Sequence, residues 1–234
     1  MPTKIPDFSE LEKNIGVNFS DKKLLKQAFI HRSYINENKD IGLSHNERLE
    51  FLGDAVLELV TTEYLYDAYP KKPEGELTSF RAALVNTVTI SRIASELDMN
   101  EYLLLSKGES KDIGRARQVI LANTFESFIG AIYLDRGYDA AKKFITDNLL
   151  IKAKVIIEND LWKDPKSLLQ EKAQEILSVT PSYKTLKESG PDHNKTFVIG
   201  LYFGEELVAE GKGHSKQEAQ EDAAKNGLKK KKWL

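Results

Sequence analysis

An all-helical N-terminal domain followed by a small α+β domain of order α-β-β-β-α is the fold class this sequence predicts, on three observations. Apolar residues recur at helical spacing through the first 158 residues, with no convincing strand pair. A charged, proline-containing stretch follows at Asn159–Pro165. Beyond it the pattern changes to short strand-like runs separated by Gly-containing turns. Residues 1–158 therefore read as one domain, 159–164 as a linker and 165–234 as a second domain.

The elements follow in order. Ser9 with Glu12 makes a capping-box pattern ahead of Leu11 and Ile15. Ser20 or Asp21 caps a second helix, where Leu24, Leu25, Ala28 and Phe29 share a face. A long helix runs from about Asn46 to Tyr69 and stops at Pro70. After Pro73-Glu74-Gly75 comes a helix with Leu77, Phe80, Leu84 and Val88 on one side. Gly108 and Gly114 bracket a polar loop, in which Lys107 and Arg115 are candidates for anion contact. An apolar helix then spans roughly Ala116 to Asp135, ended by Gly137, and Ala140, Phe144 and Ile145 begin the last helix of this half. In the second domain a helix over Lys166–Leu177 precedes strands at Tyr183–Lys187, Thr196–Phe203 and Leu207–Gly211. Ser215 caps a closing helix rich in alanine.

Composition narrows the function classes. Cysteine is absent, which excludes disulfides and thiolate metal sites. No run of about 20 apolar residues exists to span a bilayer, and the N-terminus lacks a signal-peptide core. A soluble cytoplasmic protein is expected. Net charge is −2 but unevenly spread: residues 163–234 hold 13 Lys against 11 Asp/Glu, the preceding part 21 Lys/Arg against 25 acids. An acidic domain that handles a polyanion needs a reason to do so, and bound divalent cations would supply one.

The stretch His45–Glu58, HNERLEFLGDAVLE, sets Glu47, Glu50, Asp54 and Glu58 along one side of a helix, with Leu49, Leu52, Val56, Leu59 and Val60 opposite. A solvated acidic face accounts for that spacing. Two details weigh against it. Phe51 and Leu57 flank the acids, and Arg48 is the only Lys or Arg in the segment, so the usual ion pairing at four-residue spacing is missing. In the apolar helix, Glu126 is the only Asp, Glu, Lys, Arg or His between Val119 and Leu134. A carboxylate there needs a partner, either an arginine such as Arg81 or Arg92, or a metal ion shared with the first helix. Asn123, three residues earlier, could add an amide oxygen. His31 and His45 pair with no nucleophile and suit turn or cap roles.

At these residues the chain resembles the bacterial ribonuclease III family. NERLEFLGDAVL (Asn46–Leu57) resembles its signature helix and LANTFESFIGAIYLD (Leu121–Asp135) its second catalytic helix. The resemblance covers nearly the whole chain and implies an endonuclease domain followed by a double-stranded-RNA-binding domain. Carried over by position, it implies catalytic and metal-binding roles for Glu50, Asp54 and Glu126, with Asn123 at the fourth metal position. Glu47 and Glu74 fall at accessory acidic positions near the subunit interface and the scissile strand. It further implies Mg²⁺ as cofactor, with Mn²⁺ substituting, and a homodimer acting on double-stranded RNA. The products would carry 5′-phosphate and 3′-hydroxyl ends with short 3′ overhangs; ribosomal RNA precursors and other structured RNAs, messengers included, are the expected substrates. The family commonly has aspartate where this chain has Asn123, which removes one negative charge from the metal site. A catalytically weakened or inactive RNA-binding scaffold on the same fold is the alternative.

Binders of A-form RNA follow its shape through 2′-hydroxyls and phosphates. The second domain offers Ser167, Gln170, Glu171 and Gln174 on one helix face, His193 in the loop Gly190–Lys195, and Lys212, Lys216 and Gln217 where the last helix begins. GKGHSKQEAQEDAA (Gly211–Ala224) resembles the closing motif of the double-stranded-RNA-binding domain.

Overall fold

The computed structural model describes residues 6–38, 42–160, 162–191 and 195–233. The chain divides into two compact units, Met1–Ile157 and Glu158–Leu234.

The first unit is helical: α1 (Ser9–Ile15), α2 (Lys22–Ala28), α3 (Arg32–Glu37), α4 (Glu47–Ala68), α5 (Glu74–Val85), α6 (Thr87–Glu96), α7 (Arg115–Arg136), α8 (Tyr138–Asn148) and α9 (Ala153–Glu158). Its centre is the pair α4 and α7, each 22 residues long. A Cβ placed on Gly53 of α4 would lie 1.8 Å from the Glu126 carbonyl oxygen, and one on Gly130 of α7 would lie 2.2 Å from the Leu49 carbonyl oxygen. The two backbones touch where side chains would ordinarily separate helices by 8–10 Å (roughly). Around this contact Leu49, Val56, Leu57 and Val60 are buried with Phe125, Phe128, Ile129 and Ile132. Phe29, Phe128 and Phe144 continue the core as a chain of edge-on rings, with centroids 5.8 and 5.3 Å apart.

Several elements depart from their sequence expectation for identifiable reasons. Ser9 does not cap α1; Phe8 holds the N-cap position without a side-chain bond. Glu12 is turned into the core instead, where it accepts the Phe19 amide at 2.8 Å and the Lys22 ammonium at 2.6 Å, tying α1 to α2. The helix expected to run through Val88 breaks at Asn86, whose backbone is extended and whose side chain accepts the Thr89 N–H, starting α6. Val88 consequently lies 65% exposed. Leu59, expected on the apolar face of α4, is also exposed, because the buried face centres on Gly53 and Val60. Asp21 caps α2, and His31 caps the short α3 through its Nδ1.

The second unit is α10 (Pro165–Leu177), then β1 (Pro181–Ser189), β2 (Thr196–Phe203) and β3 (Glu206–Gly213), then α11 (Lys216–Lys231). The strands form one antiparallel sheet in the order β1-β2-β3. Alternation along β2 turns Ile199, Leu201 and Phe203 inward. Leu201 and Phe203 share one core with Leu168, Leu169 and Ala173 of α10 and Ala223, Ala224 and Leu228 of α11. Asp164 and Ser215 cap the two helices. Small residues let α11 lie close: a Cβ on Gly211 would meet the Ala223 nitrogen at 2.0 Å. Among the described residues no helix is long and apolar enough to cross a membrane.

The α4–α7 contact predicts a sharp positional contrast. Gly53→Ala should destabilise the helical unit by ~3 kcal/mol or more through overpacking. Gly75→Ala, in a helix with nothing within 4 Å of the added carbon, should stabilise it by ~0.5–1 kcal/mol. Thermal or urea unfolding of both variants checks this; equal stabilities would mean the helices can move apart at little cost.

Candidate active site and RNA interface

The close crossing of α4 and α7 determines which acids meet. Asp54 follows Gly53 directly, and the Glu126 carbonyl is the atom Gly53 approaches. Glu50, one turn earlier on α4, sits beside the buried Leu57 and Gly53 and is half-buried. Asn46 fixes the start of α4 from beneath. Its side chain donates to the Ala28 carbonyl at 3.2 Å, its N–H to the Ile30 carbonyl at 2.9 Å, and its own carbonyl accepts Ser127 Oγ of α7 at 3.4 Å. Ser127 also donates to the Asn123 carbonyl at 2.7 Å.

Glu50, Asp54 and Glu126 act on one another as like charges. Glu126 is pushed up to about 8 by burial first, then by Asp54 and Glu50. Burial raises Glu50 as well, with Glu47 and Asp54 adding to it, while a hydrogen bond with the Asn123 side chain pulls it back. Asp54 is raised by burial and by Glu58. No Lys, Arg or His lies within ion-pair distance of Glu50, Asp54 or Glu126 among the described residues. The arginine partners open in the sequence are otherwise engaged or elsewhere: Arg81 donates to Thr62 Oγ1 at 3.0 Å, and Arg92 is exposed.

This donor set fits a hard divalent cation chemically. Every side chain offers oxygen, three are carboxylates, and the uncompensated repulsion is what a cation would relieve. Among the described residues no three His, Cys, Asp or Glu side chains form a ready-made metal cage. Glu47 stands at the rim, exposed, with Arg32 and His45 each 3.7 Å away. Glu74 is not brought to the cluster within one chain. It starts α5, accepts Thr78 Oγ1 at 2.9 Å, and lines a groove of about 380 Å³ with Leu65, Tyr66 and Arg81.

In the second unit Ser167, Gln170, Glu171 and Gln174 are exposed on α10. Ser167 and Gln170 line a polar groove of about 530 Å³ with Gln217 of α11. Glu171 is paired with Lys163 at 3.1 Å and Lys216 with Glu188 at 3.1 Å, while Gln217 donates to Glu221. Lys212 is exposed at the end of β3, where its N–H donates to Asp222. His193 lies outside the described residues. The groove also holds Lys166 and Gln220, neither among the RNA-binding residues expected from the sequence, and Lys166 Nζ donates to Gln220 Oε1 at 2.7 Å across α10 and α11. Lys166, the residue after a helix-opening proline, was the available signal.

Comparisons with known proteins identify the family of each unit. A family model described as ribonuclease-III-like matches residues 21–153, and one described as double-stranded RNA binding motif matches residues 165–231. Among curated relatives named Ribonuclease 3, that of Natranaerobius thermophilus is 48% identical over 93% of this chain and 94% of its own. That of Borreliella burgdorferi is 45% identical over 94% and 90%, and that of Enterococcus faecalis 45% over 94% and 96%. The crystal structure of the nuclease domain of ribonuclease III from Campylobacter jejuni matches with a TM-score of 0.55 at 38% identity, covering 64% of this chain and 95% of that one. A second structure of that domain, described as flexible in a region involved in dimer formation, matches with a TM-score of 0.54 at 39% identity, over 61% and 98%.

The raised acid predicts a pH signature in metal-free protein. Folding lifts Glu126 from its ordinary 4.5 to about 8, so between those values the folded chain holds more protons than the unfolded one. Stability therefore falls as pH rises through that window. Glu126→Gln should flatten the decline and raise the thermal midpoint of the helical unit at pH 8 by about 2–4 °C. A variant that keeps the wild-type slope between pH 5 and 8 would show that Glu126 is not the group responsible.

Proposed function

This chain belongs to the ribonuclease III family, and from that premise we propose that it hydrolyses phosphodiester bonds of double-stranded RNA at the Glu50, Asp54, Asn123 and Glu126 cluster. The family membership and the attached double-stranded-RNA-binding domain make it a ribonuclease that acts on duplex RNA. Metal dependence is general in that family; the ion proposed here is Mg²⁺, with Mn²⁺ substituting. The observation that carries the reading is three mutually repelling carboxylates on two touching helices, without a protein cation to neutralise them.

The chain's own residues divide the work. Glu50, Asp54 and Glu126 would hold the cation, and Glu126 must give up its proton for that to happen. The Asn123 amide, hydrogen-bonded to Glu50, keeps a carbonyl oxygen as a neutral donor atom. When bound, the divalent cation supplies an activated water and offsets the charge that builds on the phosphate. Glu47, at the rim, screens or orients the approaching strand. The α10 face and the start of α11, with Ser167, Gln170, Gln174, Lys212, Lys216 and Gln217, would follow the minor grooves and the intervening phosphates.

The rest of the proposal is a homodimer in which each half cuts one strand, leaving 5′-phosphate and 3′-hydroxyl ends with short 3′ overhangs. Exposed Phe51, Leu59 and Tyr66 along one side of α4 support a subunit contact there, and Glu74 beside the same helix would complete the site from that contact. Processing of ribosomal RNA precursors and other structured RNAs in the cytoplasm is the proposed role. The alternative, an RNA-binding scaffold with weak or absent catalysis, is favoured by Asn123 alone.

Cleavage of an end-labelled RNA duplex with Mg²⁺ titrated tests the reading. Both strands should be cut, and Glu126→Gln should lower the rate more than about 100-fold. Duplex binding without cutting at any Mg²⁺ concentration would leave the scaffold. Asn123→Asp, by restoring a charge, should lower the Mg²⁺ midpoint roughly tenfold. An unchanged midpoint would mean that Asn123 does not take part in cation binding.

A further inference from the structure

The loop between Ser106 and Gly114 is exposed and has no apolar core of its own, yet it is held from both sides. On one flank the Ser106 N–H donates to Ser33 Oγ at 3.0 Å and the Lys107 N–H to Glu37 Oε2 at 3.2 Å. Ser33 Oγ in turn bonds His31 Nδ1 at 2.8 Å. On the other flank stands Arg117, half-buried in the first turn of α7. Its Nη2 donates to the carbonyls of Glu109, Ser110 and Asp112 at 3.0, 3.1 and 3.2 Å, and its Nε donates again to Asp112. The guanidinium is thus spent on three backbone oxygens rather than on an acid or a ligand.

The loop so fixed presents its other cations outward. Lys107, Lys111 and Arg115 are exposed and have no acid within ion-pair distance among the described residues. Glu109 is half-buried and acts on His31, which leaves Asp112 as the exposed acid of the segment. Arg115, Val119, Asn123 and Glu126 follow one another at spacings of four, four and three residues, along one face of α7. The ledge therefore continues the face that carries the candidate metal site, about 16 Å before Glu126 at 1.5 Å per residue.

Ordering an exposed loop costs about 1–2 kcal/mol of entropy per residue, and here the order serves unneutralised charge. We infer that Arg117 is a positioning residue, holding Lys107, Lys111 and Arg115 as a rigid phosphate-binding ledge for duplex RNA outside the bond being cut. Arginine suits the post because its planar fork reaches several carbonyls from one side chain, which a lysine cannot do. The ledge gives an acidic domain a place to grip RNA backbone without placing cations among the acids of the cation site. This inference rests on the duplex-cleaving reading above.

The test uses the full chain with a labelled RNA duplex, reading KM, kcat and the salt dependence of kcat/KM. Lys107→Gln/Lys111→Gln removes two surface charges and should raise KM about tenfold near 0.15 M salt. It should also reduce the slope against log salt by about 2, with the loss falling on KM rather than kcat. Arg117→Gln should raise KM similarly, and Arg117→Lys should not rescue it. The charge-matched control Lys13→Gln/Lys23→Gln, on exposed positions of α1 and α2, should leave KM within about twofold. An unchanged KM and slope in the Lys107/Lys111 variant, or a loss confined to kcat, overturns the ledge. Arg117→Gln that lowers the melting temperature while leaving the salt slope intact reduces Arg117 to a structural role. Should the wild-type chain fail to cut duplex, the cleavage reading falls. Equilibrium binding of the same variants then decides the ledge by the same slopes.

Discussion

Two glycines, one on each of the longest helices, are the constraint on which the first unit depends. With Gly53 and Gly130 in register, α4 and α7 meet backbone to backbone, and dispersion contacts between main chains replace those of side chains. The aromatic layer of Phe29, Phe125, Phe128 and Phe144 then packs around a junction that has no freedom to widen. The same closeness sets Asp54 and Glu126 on either side of the junction. Packing and candidate chemistry are consequences of one geometric fact, since any side chain at either glycine would separate both.

That arrangement is electrostatically unfavourable by itself. A carboxylic acid held near 8 by burial and by two neighbouring acids is a site that stability alone would not produce. The surroundings compensate elsewhere: Glu12 is buried with a lysine and an amide, and Asp135 accepts two backbone N–H groups. Buried or engaged acids outside the cluster have partners; those inside it have each other and an amide. The contrast between satisfied and unsatisfied carboxylates in one small domain is what singles out the cluster, more than its acidity does.

Much of this was legible in the residues. The helix-then-sheet order, the long helix ending before Pro70, a cap at Ser20 or Asp21, the Ser215 cap, and the isolation of Glu126 in an apolar helix all follow from local pattern, because periodicity and capping are local physics. The misreadings share a cause. Glu12 fits a capping box by spacing, but burial gave its carboxylate a better partner in Lys22. Val88 continues a helical stripe in sequence, yet Asn86 caps the next helix and rotates it away. Leu59 falls inward in the sequence pattern only if the apolar face lies opposite the acids, and it is exposed. The actual buried face is turned toward them by the glycine contact, which no single-helix pattern contains. The clamp of Arg117 on backbone carbonyls was invisible for the same reason, since carbonyl acceptors carry no sequence signature.

The α7 helix is pinned at both extremities. Arg117 grips the loop before it, and Asp135 takes the Ser20 and Asp21 amides at 2.8 Å each near its end. A helix of 22 residues spans about 33 Å, and this one is hydrogen-bonded to neighbouring segments near both ends. It behaves as a ruler built into the domain, with graduations at Arg115, Asn123 and Glu126. A rigid duplex laid along it would be measured rather than merely held, because the interval from Arg115 to the reacting positions is a property of helix rise.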